Sequence, residues 1–108
     1  MATYTNTSYV SKNVGTSAAL ITTVASATTA AVASLIVSNT TTSPITTSVY
    51  IARSSVNYYL VYQATVPVGG SLEVIQGNRV VLTAADSLYV QNSAASSGDV
   101  IASVLLAA

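Results

Sequence analysis

Three carboxylates, Glu73, Asp86 and Asp99, and the glycine pair of "PVGGSLEV" (residues 67–74) are where any chemistry in this chain would have to start. Two carboxylates held at a suitable separation can hydrolyse glycosides. Here each acid stands at the start of an alternating run or beside a turn, where it serves to cap or end strand pairing. Asp86 in "AADSLYV" reads as an Asx-type turn with the backbone that follows it. A glycine pair can cradle a phosphate, but only where a helix begins directly after it. The residues that follow, "SLEVI" (71–75), alternate without a helical stripe, and Pro67 suits the approach to a turn. The pair therefore reads as a strand connection. The chain has no His and no Cys, so the commonest general base, the thiolate nucleophile and the usual metal ligands are missing. No enzymatic activity, cofactor or metal is expected.

The seven tyrosines (4, 9, 50, 58, 59, 62 and 89) are the only aromatic residues. Tyrosine joins an apolar body to a polar tip, which suits a core, a subunit interface or the stacking of a sugar ring. Alternation puts Tyr58, Leu60 and Tyr62 on one side of a strand and Tyr59 on the other. Part of this group is thus expected in the core and part at an interface. Tyr4, Tyr9, Tyr58, Tyr59 and Tyr62 are the expected interface residues, with carbohydrate stacking by exposed tyrosines as the alternative. Thr-rich stretches such as "TTTSPITTS" lack the fixed repeat that an ice-binding ladder needs.

The elements that must position these residues read as strands. From Ile45 the chain alternates, with Ile45, Thr47, Val49 and Ile51 on one face. "YYLVY" (58–62), "SLEVI" (71–75), "RVVLT" (79–83), "SLYVQN" (87–92) and "DVIASVLL" (99–106) follow at short intervals. In the last, Val100, Ala102, Val104 and Leu106 share a face opposite Ile101, Ser103 and Leu105. "SNTTTSP" (38–44) and "RSSVN" (53–57) are polar connections, "QGN" (76–78) signals a hairpin with Gly77 at positive φ, and "SAASSGD" (93–99) closes a last hairpin. The Ala-rich segment 25–39 makes a poor helical stripe. As a strand over about 31–39 it sets Ala33, Leu35 and Val37 on one buried face. The pattern predicts an all-β, single-domain antiparallel sandwich of jelly-roll type with about eight strands. Residues 1–14 form an N-terminal arm or edge strand ahead of the domain at 15–108.

Composition narrows the function classes further. Apolar residues make up 51% of the chain, but they are mainly small, with no Phe and no Trp. Charged residues are only 6%, against about 25% in an ordinary domain. Ser and Thr fill 31 of 108 positions, so hydroxyls rather than charges solvate the surface. A zero net charge removes the repulsion that keeps monomers apart, so association with copies is expected. No basic stripe offers phosphate neutralisation, so nucleic acid is not an expected partner. The uncharged span 13–52 is broken by Thr/Ser clusters and never runs to about 18 apolar residues, so a membrane is not expected either. "MATYTNTSYVSK" has neither a basic nor an apolar leader region, which predicts a soluble, unprocessed chain.

The C-terminal half also carries a family-like order of motifs. A Tyr59-Leu60-Val61 strand is followed by a Pro67–Gly70 turn and the apolar run Leu72–Ile75. Val81-Leu82 with Asp86, Leu88 and Val90 comes next, then Asp99–Leu105. With "VASLIVSNTTTSPITTSVYIAR" (32–53) before it, this order resembles short virion structural proteins of tailed bacteriophages, especially those of cyanophages. The resemblance implies a β-sandwich that assembles on a phage particle made in the host cytoplasm. A capsid-surface cement or decoration protein is the first expectation, and a tail, baseplate or fibre-associated component the second. The implied partners are copies of itself, a trimer first, and the major capsid protein or tail proteins. The matched motifs are turn patterns and bring no catalytic or binding residues with them.

Overall fold

The computed structural model describes residues 4–75 and 79–107. Among the described residues nine strands form: β1 (Tyr4–Val14), β2 (Ala19–Thr23), β3 (Thr29–Asn39), β4 (Ile45–Arg53), β5 (Val56–Val66), β6 (Ser71–Glu73), β7 (Val80–Leu82), β8 (Ser87–Asn92) and β9 (Gly98–Ala107). One sheet runs β1-β9-β3, with β6 and β7 both on the far edge of β3, and the other runs β2-β8-β4-β5. Every pairing is antiparallel. With β6 and β7 taken as one interrupted strand, this is the eight-strand jelly-roll order, in keeping with the expected sandwich of about eight strands.

The inner faces hold small side chains, and Leu35, Leu82 and Leu88 are the largest that are fully buried. Val32, Leu35 and Val37 of β3 meet Leu88 and Val90 of β8 and Val49 of β4 in one cluster, joined by Val100, Ala102 and Val104 of β9. Val and Ala fill the thin space between two sheets packed about 10 Å apart without aromatic bulk. The chain is elongated along its strands, at 49 × 26 × 21 Å.

Asn39 ties the two sheets together at one end. Its Nδ2 donates to the carbonyls of Ser43 (2.9 Å) and Val66 (3.1 Å), and its Oδ1 accepts from Thr41 N–H (2.9 Å) and Thr41 Oγ1 (2.7 Å). A buried amide satisfied on both sides costs little to bury and fixes the 39–44 connection.

Three sequence expectations are corrected. β6 and β7, which flank "QGN" (76–78, outside the described residues), each pair with β3 rather than with each other as the expected hairpin requires. Both strands lie on the same edge of β3, β6 opposite Ile36–Ser38 and β7 opposite Ala30–Val32; Gly77 itself lies outside the described residues. The 93–99 stretch is no hairpin either, because β8 and β9 belong to different sheets. The Pro67–Gly70 turn is the expected strand connection, closed by Gly70 N–H to the Pro67 carbonyl at 3.0 Å, and it carries the chain across from β5 to β6 in the other sheet. Gly69 supplies the positive φ (67°) that this turn requires. The third correction is on β3. A register shift between Val32 and Ser34 switches the parity, so Val32 and Leu35 are both buried while Ala33 is exposed. Glu73 explains how the shift is tolerated. Its carboxylate accepts from Leu35 N–H, Ile75 N–H and Ser34 Oγ, each at 3.2 Å, where regular ladder bonds are missing.

Candidate functional site

The three acids are held in three separate local networks, and no metal-binding cluster exists among the described residues. Glu73 braces the β3 irregularity as above. Asp99 accepts from Asn13 N–H (3.1 Å) and faces Lys12 at 3.7 Å on the exposed surface.

Asp86 is only 1% exposed and takes both of its bonds to Arg53 from the end of β4, Nε at 2.8 Å and Nη2 at 2.6 Å. It also accepts from Thr83 N–H (2.8 Å) and Thr83 Oγ1 (3.2 Å). The side chain therefore bonds the backbone that precedes it, not the backbone that follows, as the Asx reading expected. Ala85 pays the local conformational cost at φ 70° within this turn.

The guanidinium hydrogen bonds, outweighing the opposing effect of burial and helped by Thr83, lower the Asp86 pKa from 3.8 to about 2. The ionised group thus contributes stability above the unfolded-state pKa, and that contribution disappears as pH falls from about 4 towards 2. Urea titrations across this window are expected to lose on the order of 2 kcal/mol through this group. Asp86→Asn should be less stable than wild type at pH 7 and should flatten that acid limb. An unchanged limb in the variant would remove the pair from this role.

The tyrosines separate into distinct places. Tyr9 is half-buried against the core, while Tyr4 and Tyr58 are exposed. Tyr59 and Tyr62 meet edge to face, with ring centroids 5.0 Å apart. Alternation alone would set them on opposite sides of β5. Register shifts opposite Thr47–Val49 and Val49–Tyr50 add residues to β5 and bring the two rings together. Tyr50 and Tyr89, which were not among the expected interface residues, form the base of the same row. Tyr50 is the direct cross-strand partner of both Tyr59 and Tyr89. Its ring lies 5.1 Å from Tyr59 and 5.3 Å from Tyr89, the latter stacked. The signal in the sequence was parity, since Tyr50 falls opposite the Val49 face and Tyr89 opposite Leu88 and Val90. Burial, then its two tyrosine neighbours, pushes the Tyr50 pKa up, so this phenol stays neutral at physiological pH.

Two further surfaces stand out. The outer face of the five-stranded sheet carries a cross-strand row of Val10, Ile101 and Ile36, and a second of Leu105, Ala31 and Val81 beyond an intervening serine row of Ser8, Ser103 and Ser34. Val10 is 75% exposed, so the first row is not covered by the chain itself. The sheet edges differ sharply in length. β2, β6 and β7 are short, whereas β1 and β5 each run for 11 residues. β5 has no charge, proline or glycine, and β1 has only Lys12. Natural edges are commonly guarded by such residues, by brevity or by bulges, and here the guards are Lys12 and the bulge at 11–14 on β1 and the two bulges of β5. β1 lies on the flank shared with β2, and β5 on the opposite flank.

No family model and no curated protein matches the chain. Among solved structures it is similar to a protein of the disulfide-linked pili that form Bacillus endospore appendages. The match has a TM-score of 0.57 at 14% identity and covers 98% of this chain and 88% of that chain. At that identity the likeness is one of fold.

Proposed function

We propose that this chain is a non-catalytic structural subunit that associates with copies of itself through its sheet edges. The observation that carries this reading is the pair of long, nearly charge-free edges, β1 and β5, on opposite flanks and in different sheets. Joining β1 of one copy to β5 of the next continues one sheet into another and satisfies both rows of backbone groups. Because the two edges are different surfaces, the contact is head-to-tail and yields rings if the rotation closes and fibres if it does not. A standard interface takes about 800 Å² from each partner, which is a modest part of the 5862 Å² surface.

The setting implied by the sequence resemblance is a virion, with the subunit cementing a shell or ringing a tail. A filament is the second reading, favoured by the fold shared with a pilus protein. The chain has no cysteine, so the disulfide linkage of those pili has no counterpart here.

Sedimentation and negative-stain electron microscopy of the purified chain are expected to reveal ordered rings or fibres. Tyr58→Lys with Thr65→Lys places two charges on β5 at exposed positions. It should keep the β-sheet circular dichroism and lower the association constant by about tenfold or more. Added below equimolar amounts, the variant should cap growing wild-type assemblies, since its β1 edge is intact. A monomeric wild type at every concentration tested would overturn the proposal.

A further inference from the structure

We propose that a groove on the outer face of the four-stranded sheet is a binding subsite for a neutral saccharide, stacked against Tyr62 and Tyr59 and hydrogen-bonded by Gln63, Gln91 and Ser48. The groove has a volume of ≈ 360 Å³, within the range of about 300–1,000 Å³ in which small-molecule sites fall.

Its lining decides the ligand class. Tyr59 and Tyr62 are 48% and 64% exposed, so both rings present surface to the groove. They stand 83° apart and form a corner of one ring face and one ring edge. Tyr59 is backed by the Tyr50–Tyr89 stack, which holds this wall in place. Opposite lie hydroxyls and amides, with no Asp, Glu, Lys or Arg in the lining. A charged ligand finds no counter-charge there, and an aliphatic ligand would strip water from the amides without replacing their hydrogen bonds. A neutral sugar satisfies both halves, with its C–H face on a ring and its hydroxyls on the amides.

The polar groups are already oriented. Gln91 Nε2 donates to the Thr16 carbonyl at 2.7 Å, which fixes the amide and leaves Oε1 as an acceptor. Gln63 N–H donates to Ser48 Oγ at 3.0 Å, which leaves the Ser48 hydroxyl hydrogen to donate. Gln63 holds a φ of 51° within the β5 bulge between Val61 and Ala64, which sets it in the groove lining beside Tyr62. The subsite uses the outer face of β5, whereas edge pairing uses its backbone, so the two do not depend on each other.

Tyrosine fluorescence reports binding directly, because the chain has no Trp. Maltohexaose, cellohexaose and chitohexaose are the probes. At least one is expected to give a saturable change with wild type, and Tyr62→Ala to weaken it by about tenfold. Tyr58→Ala removes an exposed tyrosine of the same strand that does not line the groove, and should leave the affinity unchanged. The proposal is overturned if no probe saturates, if Tyr62→Ala binds as wild type does, or if Tyr58→Ala weakens binding as much as Tyr62→Ala.

Discussion

Leu35→Ala is expected to lower the unfolding free energy by about 3–5 kcal/mol, the upper part of the range for such a truncation. Leu35 has no exposed surface and lies in the middle of β3, the strand that holds β9 on one side and β6 and β7 on the other. The cost depends on how far the surroundings can collapse, and here they are pinned. Leu35 N–H donates to Glu73 Oε1 at 3.2 Å, and its carbonyl accepts from Val74 N–H at 2.8 Å. The neighbouring core is largely Val, whose branched side chains have few rotamers with which to fill a void. Ile36→Ala on the outer face of the same strand is the control, and should cost far less because Ile36 is only half-buried. Urea denaturation of the two variants measures both. A loss below about 1 kcal/mol for Leu35→Ala would contradict the packing described.

Gly98→Ala is expected to destabilise by about 1–3 kcal/mol although it adds a single methyl group. A Cβ at this position would stand 2.6 Å from the Ser38 carbonyl oxygen and 2.7 Å from Asn92 Nδ2. Neither neighbour is free to move. Ser38 is backbone of β3 within the sheet, and Asn92 is buried with its Nδ2 bonded to the Val14 carbonyl at 3.2 Å. Gly98 is also where β9 begins its pairing with β1, opposite Val14, and with β3, opposite Asn39. The clash therefore loosens both neighbours of the strand at one end. Gly69→Ala provides the contrast, since nothing lies within 4 Å of a Cβ there and only its positive φ opposes the change. Thermal melts should place Gly98→Ala well below Gly69→Ala, and the reverse order would argue against this close approach.

How much of this was legible depended on the distance over which each signal acts. The strand β4 was readable, because Ile45, Thr47 and Val49 alternate and are all buried. The strand β9 was readable for the same reason, with Val100, Ala102 and Val104 inside. The absence of a helix after Gly70 was legible from "SLEVI" alone. The Tyr59–Tyr62 corner was not, since it exists only through residues inserted into β5 relative to β4, and nothing in "YYLVYQ" marks them. The Arg53–Asp86 pair joins positions 33 residues apart, and no local spacing announces it.

Period-2 alternation, small apolar residues and turn residues determined that this chain is all-β, sandwich-like and nearly free of charge. These are properties of each segment and its immediate neighbours, so they can be read along the chain. Only the tertiary structure decided which strands lie side by side, that β6 and β7 share one edge, and where bulges reverse the parity. Alternation fixes which face a side chain takes, but partner and register are set by closing long loops onto one shared core. That closure left β1 and β5 as edges on opposite flanks and placed the tyrosine row on an outer face.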